Sequence, residues 1–550
     1  MGPGNENQAI SKTLEVGEIL AIRALAAFVP TSLWKTAGHR LAPRAGLRDT
    51  GRSVLLNLSE LIQKTSALVS RAGGELRQQG ILQPVEVDRI TDDSRQISNA
   101  SVFAVTALSQ NHLESALDRN PAAIIAPANM ISGALLEAYS KKGLILFGGK
   151  PARSRPEWLL SLMAGAFFDH PDRKMDIVAV TGTNGKTSIS RMIYHAWKKQ
   201  DVPCAVIGTL GATIFADGRE STIQTGYTTP RSYQLLELLA DMERTGVEKV
   251  ALEASSEALA LGRLEGIRMV GAVFCGISVD HLDYHKTMER YFLAKAHLFS
   301  LVRRSEGRAI IQDLGEQGPD PYAKKLVEYV KRIGMDFTVV REFRPFDLNV
   351  PVDFNIRNAN LAWLASGAEH DAKLFADMPD VPGRMNRLDV LPGLDAIVDY
   401  AHTPDALERI LGQLKKTGYH RIYCVFGCGG DRDPSKRILM GQAALEAATD
   451  VIVTDDNPRS EDPDEIRRQI MEARNVPGLS PSYETLRNIG DRKQAIRLAL
   501  QEASEECRKG LRCCVLVAGK GHEDYQIYGK EKRHFSDAEV VMEFKAEVKS

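Results

Sequence analysis

The chain has 550 residues, is 43% hydrophobic and 26% charged, and carries a formal net charge of −1. That length predicts about three or four domains, and the composition is that of a globular protein. Near-zero net charge excludes a global basic field of the kind that gathers nucleic acid.

In chain order, residues 1–56 come first. They hold the apolar stretch EILAIRALAAFVPTSLW, broken by Glu18 and Arg23. It falls short of the roughly 18 apolar residues of a membrane span. Glu6, Glu15 and Glu18 make it a poor signal or transit peptide. An amphipathic helix or a loose extension without stable membrane contact is expected. The seven cysteines form no C-x-x-C pair, and their odd number argues against a disulfide framework, so a reducing cytoplasm is expected.

Apolar runs bounded by turn residues then recur: AAIIAPA, GLILFGG, MDIVAVTG, KVALEASS, GAVFCGIS, AIVDYAH, RIYCVFGCGG, DVIVTDDNP and CCVLVAGKGH. Each predicts a short buried strand. Most precede a helical stretch such as TSISRMIYHAWKKQ or DALERILGQLKK. The alternation predicts an α/β protein with parallel sheets covered on both faces. Ligands bind such sheets at the carboxyl ends of the strands. There stand TGTNGKT, EASSE, DYAHTPD, GCGGDRD, DDNPRSEDP and AGKGHED. Composition breaks at DHPDRK (169–174) and DMPDVPGR (377–384) mark linkers. The expected division is an extension over 1–56, a substrate domain over 57–171, a central nucleotide domain over 172–382 and a C-terminal domain over 383–550.

VAVTGTNGKTSIS (178–190) has the strand, glycine, lysine and hydroxyl of a phosphate-binding loop. It is shorter than G-x-x-x-x-G-K-[ST], because Val180 stands where the first glycine belongs. Gly182 and Gly185 let backbone N–H groups turn toward an anion, and a helix starting near Lys186 adds its dipole. Lys186 supplies a point charge, and Thr187 an oxygen for Mg²⁺. A mere tight strand–helix turn is the alternative. The apolar strand, lysine and hydroxyl found together weigh against it.

T-G-T-N-G-K-T resembles the loop of the Mur ligase superfamily, which includes peptidoglycan-precursor ligases, folylpolyglutamate synthases and cyanophycin synthetase. The resemblance extends from about residue 57 onward. It implies a three-domain architecture with a central P-loop-type parallel sheet and a C-terminal Rossmann-like domain. It also implies that ATP and Mg²⁺ activate a carboxylate for joining to an amine. The implied ATP loop is Gly182, Thr183, Asn184, Gly185, Lys186 and Thr187.

LEASSEALALGR (252–263) carries Glu253, an implied magnesium ligand. DHLDYHKTMERYFLAKAHLF (280–299) resembles a segment in which a histidine binds a second magnesium and a downstream lysine is carbamylated by CO₂. His281 and Lys295 match those positions. An ammonium cannot ligate a cation, whereas a carbamate offers the anionic oxygen that magnesium prefers. Taken singly, His281 reads as a hydrogen-bonded loop histidine and Lys295 as a solvated helix lysine. Their joint spacing favours the ligand reading. The implied metal set is Thr187, Glu253, His281 and Lys295 as its carbamate. The implied catalytic set is Lys186, Glu253, His281 and Lys295.

By the same resemblance Asn358, in FNIRNANLAWLA, reaches the adenine end of ATP, and Arg384, in VPGRMNRLDV, lies at the domain junction. Asp399 and His402, in VDYAHTPDAL, reach nucleotide across the cleft; a helix cap is the bland alternative for Asp399. FGCGGDRDPSKR, TDDNPRSEDP and AGKGHEDYQ resemble the amino-acid pocket of the branch that adds the third residue of the peptidoglycan stem peptide. D-N-P-R is similar to the signature of enzymes that select meso-diaminopimelate over lysine. The implied pocket is Arg432, Asp456, Asn457, Arg459, Gly519 and Glu523. Diaminopimelate ends in a zwitterion. Arg459 can grip its carboxylate bidentately, and Glu523 can pair with its ammonium. Lysine would leave that arginine unpaired. For any one of these residues a surface ion pair is the alternative.

For a UDP-muramoyl dipeptide the matching residues are Ser94 and Arg95 in TDDSRQISNASVFAV, Thr228 and Thr229 in YTTP, and Ser255 and Arg263. The implied partners are small molecules, a UDP-sugar peptide and an amino acid, for a monomer without nucleic acid.

The pattern has departures. Glu257 stands where the branch has histidine, Gly276 replaces an asparagine, and Val279 replaces a polar residue. A D-G-H/F segment is missing after VFAVTALSQNH, and the stretch from Lys295 to Asn355 is short. These changes fall on the acceptor side. Two alternatives therefore stand: a ligase acting on a different carboxylate in a specialised pathway, and a non-catalytic nucleotide-binding protein. Retention of Lys186, Glu253, His281 and Lys295 weighs against the second. D-N-P-R together with G-K-G-H-E weighs against a folylpolyglutamate synthase.

Overall fold

The computed structural model describes residues 56–71, 74–79, 84–106, 109, 112–128, 144–149, 156–313 and 320–549. The expectation for the N-terminal extension falls on residues outside these, apart from residue 56.

Alternating apolar residues explain the central sheet. In the strand Asp176–Thr181, Ile177 and Ala179 share a core with Leu298 and Val302 of the helix Met288–Arg303. Val178 and Val180 point the other way, into a core with Ile189, Ile193 and Trp197 of the helix Lys186–Lys199. Successive side chains of a strand face opposite sides, so a wholly apolar strand needs cover on both. The helix meets that need with residues four apart, which form one stripe. Trp197 is 2% exposed and its Nε1 donates to Ser366 O at 2.9 Å, fastening the helix Asp353–Ser366 beside it. Truncating such a tryptophan to alanine costs about 3–5 kcal/mol.

This sheet has eight strands, in the order Arg219–Ile223, Gly211–Ala216, Cys204–Gly208, Lys249–Glu253, Asp176–Thr181, Gly271–Phe274, Arg308–Gln312 and Asp336–Val340. From Cys204–Gly208 onward all pairs are parallel. The first two strands form an antiparallel edge that the sequence pattern did not reveal. Arg219–Ile223 reads RESTI and is largely exposed, so it offers no apolar run.

The C-terminal sheet orders Asn386–Leu391, Leu394–Asp399, Cys513–Ala518, Arg421–Phe426, Asp450–Val453 and Thr485–Asn488, with only the first pair antiparallel. The N-terminal sheet orders Gly74–Gln79, Leu144–Gly149, Ala123–Pro127, Ser101–Ala104 and Arg89–Thr91. All the cysteines are free thiols, and all but Cys507 are buried.

Polar bonds tie the sheets together. Arg231 Nη1 donates to Asp92 at 2.7 Å, joining the N-terminal and central units. Asn184 Nδ2 donates to Asp405 at 3.1 Å, and Arg384 Nη2 to Thr187 Oγ1 at 3.3 Å, joining the central and C-terminal units.

Candidate active site

The candidate phosphate-binding loop begins where the strand Asp176–Thr181 ends. A Cβ at Gly182 would collide with Cys275 Sγ, so only glycine fits there. Gly185 has φ +91° and caps the helix Lys186–Lys199 without a side-chain hydrogen bond. The helix therefore begins with no side-chain acceptor on its amides, the arrangement that receives an anion. Lys186 Nζ folds back to donate to Gly182 O at 3.0 Å and Thr183 O at 2.9 Å.

Glu253 ends the neighbouring strand and is 1% exposed. It accepts from Thr187 Oγ1 at 3.0 Å, Thr209 N at 3.0 Å and Thr209 Oγ1 at 3.1 Å. A carboxylate and hydroxyl oxygens thus converge in one buried corner. That donor set fits a hard divalent cation such as magnesium. Lys295 Nζ is buried too, donates to Gly182 O and lies 4.4 Å from the centre of the Tyr291 ring. Burial, reinforced by the charge of Lys186, pushes its pKa well below that of an ordinary lysine.

His281 sits between two acids. Its ring lies 3.5 Å from Glu257 and 3.4 Å from Asp280, with the Tyr291 ring 5.9 Å away. Burial opposes ionisation of Glu257, but the hydrogen bond from His281, with the fields of His281 and Arg432, holds its carboxyl below the usual range. Asp280 also lies 4.0 Å from His402 of the C-terminal unit. Among the described residues no three His, Cys, Asp or Glu side chains are grouped to hold a metal.

Asp399 is buried, and its two oxygens accept from Met385 N at 2.6 Å and Ala401 N at 2.7 Å. It anchors the chain at the domain junction and is not a helix cap; Thr403 caps the following helix. Arg384 stacks 4.5 Å over the Tyr400 ring. Asn358 packs its carboxamide against Gly185, where an added Cβ would lie 3.0 Å from Oδ1.

A cleft of about 2370 Å³ is lined by residues of all three units. On its C-terminal wall Asn457 Nδ2 donates to Glu523 at 2.9 Å, while Asn457 Oδ1 accepts from Ile527 N at 3.0 Å. Lys520 is fully buried, 3.4 Å from Glu523 and 3.8 Å from Asp456. Asp456 Oδ1 is buried with no hydrogen bond among the described residues, and its charge faces Lys520 Nζ. Burial and the neighbouring Asp456 push the Glu523 pKa up, against the opposing pull of Lys520. Gly519 holds φ +115°, and a Cβ there would come 3.0 Å from Asp456 Oδ2. Arg459 adopts φ 53° and donates from Nη1 to Gly430 O at 2.6 Å. Arg432 reaches back to Asp283 at 3.5 Å.

The acceptor-side residues divide. Thr228 lines the cleft and its Oγ1 lies 3.0 Å from Thr209 Oγ1. Thr229 donates to Glu253 O at 2.7 Å, Arg263 donates to Thr229 O at 3.0 Å, and Ser255 caps the helix Ser256–Ala260. These three brace the strand end behind Glu253. In the N-terminal unit Ser94 is buried, and Arg95 spends its guanidinium on Asp93 at 2.9 and 2.8 Å. Arg89 and Gln96 line the cleft there.

Sequence reasoning missed Lys520, although AGKGHED contains it three positions before Glu523. It also missed Asp280, Tyr291 and Asp405. Asp405 gives no local signal, because its partner Asn184 lies 221 positions away.

Residues 180–344 match the Mur ligase middle domain, and residues 383–521 match the Mur ligase, glutamate ligase domain. The UDP-N-acetylmuramoyl-L-alanyl-D-glutamate–2,6-diaminopimelate ligase of Leptospira borgpetersenii serovar Hardjo-bovis (strain L550) is 38% identical over 417 residues, covering 70% of this chain and 80% of that one. The ligase of the same name from Synechocystis sp. (strain ATCC 27184 / PCC 6803 / Kazusa) is 38% identical over 453 residues, covering 75% and 85%. A solved structure of a ligase of that name aligns with a TM-score of 0.54 at 28% identity, covering 85% of this chain and 96% of that one.

Proposed function

Because this chain belongs to the Mur ligase family, we propose that it is the ATP-dependent ligase that adds meso-diaminopimelate to the D-Glu carboxylate of UDP-MurNAc-L-Ala-D-Glu. The carrying observation is the corner of Asp456, Asn457 and Glu523 around buried Lys520, with Arg459 beside it. The two carboxylates against a single lysine leave negative charge that suits the ligand's ammonium, and Arg459 suits its carboxylate.

The substrate carboxylate attacks the γ-phosphorus of ATP, ADP leaves, and an acyl phosphate forms. The amine then attacks the acyl carbon, and phosphate departs from the tetrahedral intermediate. Gly182 to Thr187 hold the phosphates through loop amides and the Lys186 ammonium. Thr187 and Glu253, with Lys295 as its carbamate and His281, would hold magnesium, which supplies neutralisation of phosphate charge. Arg384 and Asn358 border the nucleotide loop, whereas Asp399 acts by holding the junction. Thr228 faces the acceptor, and Thr229, Ser255 and Arg263 support that wall. The rate comes mainly from positioning and charge stabilisation.

The domain division proposed is 57–171, 172–382 and 383–550, after the extension. No helix among the described residues is long and apolar enough to cross a membrane. A cytoplasmic monomer is proposed.

One observation favours a second reading, ligation to a different carboxylate: the ionised Glu257 lines the cleft and would repel an acidic dipeptide unless His281 offsets it. The test is direct. Purified protein receives ATP, Mg²⁺, bicarbonate and UDP-MurNAc-L-Ala-D-Glu, with diaminopimelate or lysine. A diaminopimelate product with phosphate release is expected. Folded protein that makes no product with either amino acid would sink the assignment, and phosphate release with another acid would favour the second reading.

A further inference from the structure

Most arginines around the cleft are already engaged. Arg231 binds Asp92, Arg263 binds the Thr229 carbonyl, Arg432 pairs with Asp283, and Arg459 binds the Gly430 carbonyl. Arg191 differs. It stands on the phosphate-loop helix four residues after Thr187, and so on the same helix face. It lines the cleft, as do Thr209, Thr213, Thr222 and Gln224 of the same unit. Among the described residues it has no hydrogen bond or ion pair, although it feels the field of Glu253 and is partly buried. The acids Glu237 and Asp241 also line the cleft, and each is engaged within the fold.

A guanidinium drawn out of water without a partner is costly, and burial already pushes its pKa down. Its planar fork matches an oxyanion bidentately, and neighbouring hydroxyls and amides add donors to such a group. Arg191 belongs to the central unit, whereas Asp456 and Glu523 belong to the C-terminal one. We propose that Arg191 binds an oxyanion of the acceptor substrate, either a phosphate of its diphosphate or a carboxylate of its dipeptide. This rests on the acceptor proposed above. The exposed Arg89 of the N-terminal unit lines the same cleft and offers a second positive charge to the same ligand.

Calorimetry on the full chain tests it, with UDP-MurNAc-L-Ala-D-Glu, UDP, MurNAc-L-Ala-D-Glu and ATP as titrants against wild type, Arg191→Gln and Arg191→Lys. Arg191→Gln is expected to weaken the complete acceptor by about tenfold to a hundredfold, with ATP changed less than about twofold. Arg191→Lys should recover part of the loss, because it keeps the charge without the fork; it also carries the test should Arg191→Gln fail to fold. Weakening in the UDP arm assigns a phosphate, and weakening only in the dipeptide arm assigns a carboxylate. Unchanged acceptor affinity in a folded variant overturns the inference, as does an equal loss for ATP. A wild type that does not bind the acceptor overturns the proposed acceptor, and this inference with it.

Discussion

Lys295 Nζ donates to the carbonyl oxygen of Gly182 across 2.7 Å, joining a helix lysine to the phosphate loop 113 positions earlier. Only a neutral amine attacks CO₂, and burial together with Lys186 favours that neutral form. With ¹³C-bicarbonate, wild-type protein is expected to show a carbamate carbon resonance that Lys295→Gln lacks. The variant should lose at least about a hundredfold in kcat, beyond rescue by added bicarbonate. A resonance that persists in Lys295→Gln refutes the assignment to this lysine.

Asp399 separates an anchoring role from a nucleotide contact. Each of its oxygens accepts a backbone N–H, and asparagine replaces one acceptor with a donor facing a donor. Asp399→Asn should cost about 1–3 kcal/mol in urea unfolding and leave ATP affinity within about twofold. Lost ATP affinity at unchanged stability would instead make Asp399 a direct nucleotide ligand.

Arg459→Ala removes the guanidinium beside the Asn457–Glu523 corner. The KM for diaminopimelate should rise by about tenfold to a hundredfold, while the KM for ATP holds. Equal losses for both substrates would count against this pocket.

Acid should loosen the domain junction. Burial lowers the pKa of His402 and of His522 to about 4, from 6.5 for an ordinary histidine. Between those values the unfolded chain binds more protons than the folded one, so stability rises with pH across that window. It is full above about 6.5 and falls progressively toward about 4. The urea midpoint should drop from pH 7.5 to pH 5, and His522→Gln should flatten part of that slope. A wild-type midpoint independent of pH over this range contradicts the burial of neutral imidazoles.

Much of the fold was legible because apolar runs such as DIVAVT and CCVLVA admit few solutions. A strand apolar on every residue must be covered on both faces, and the helices that cover it follow in sequence. The RESTI edge strand was illegible for the opposite reason. It is largely exposed, and its place depends on the register that the Gly211–Ala216 hairpin arm imposes. Motif residues were found where chemistry is local: glycines that must avoid Cys275 and Asn358, and the oxygens of Thr187 and Glu253. Ser94 and Arg95 were read from a local motif, whereas only the fold shows that Asp93 pairs with Arg95 and that Arg89 and Gln96 line the cleft.

By itself the sequence determined the apolar strands, where the candidate phosphate loop lies and which residue types crowd the strand ends. Periodicity and short motifs act over a few residues, and a linear reading captures them. The tertiary structure alone decided which of those side chains are spent and which are free. It turned Asp399 toward two backbone amides, set His281 between two acids, and left Arg191 on the cleft wall without a hydrogen bond or ion pair among the described residues. Partners such as Asn184 and Asp405 lie 221 positions apart and meet only because the domains pack together. Burial, which moves the charge states of Lys295 and His402, likewise exists only once the chain has folded.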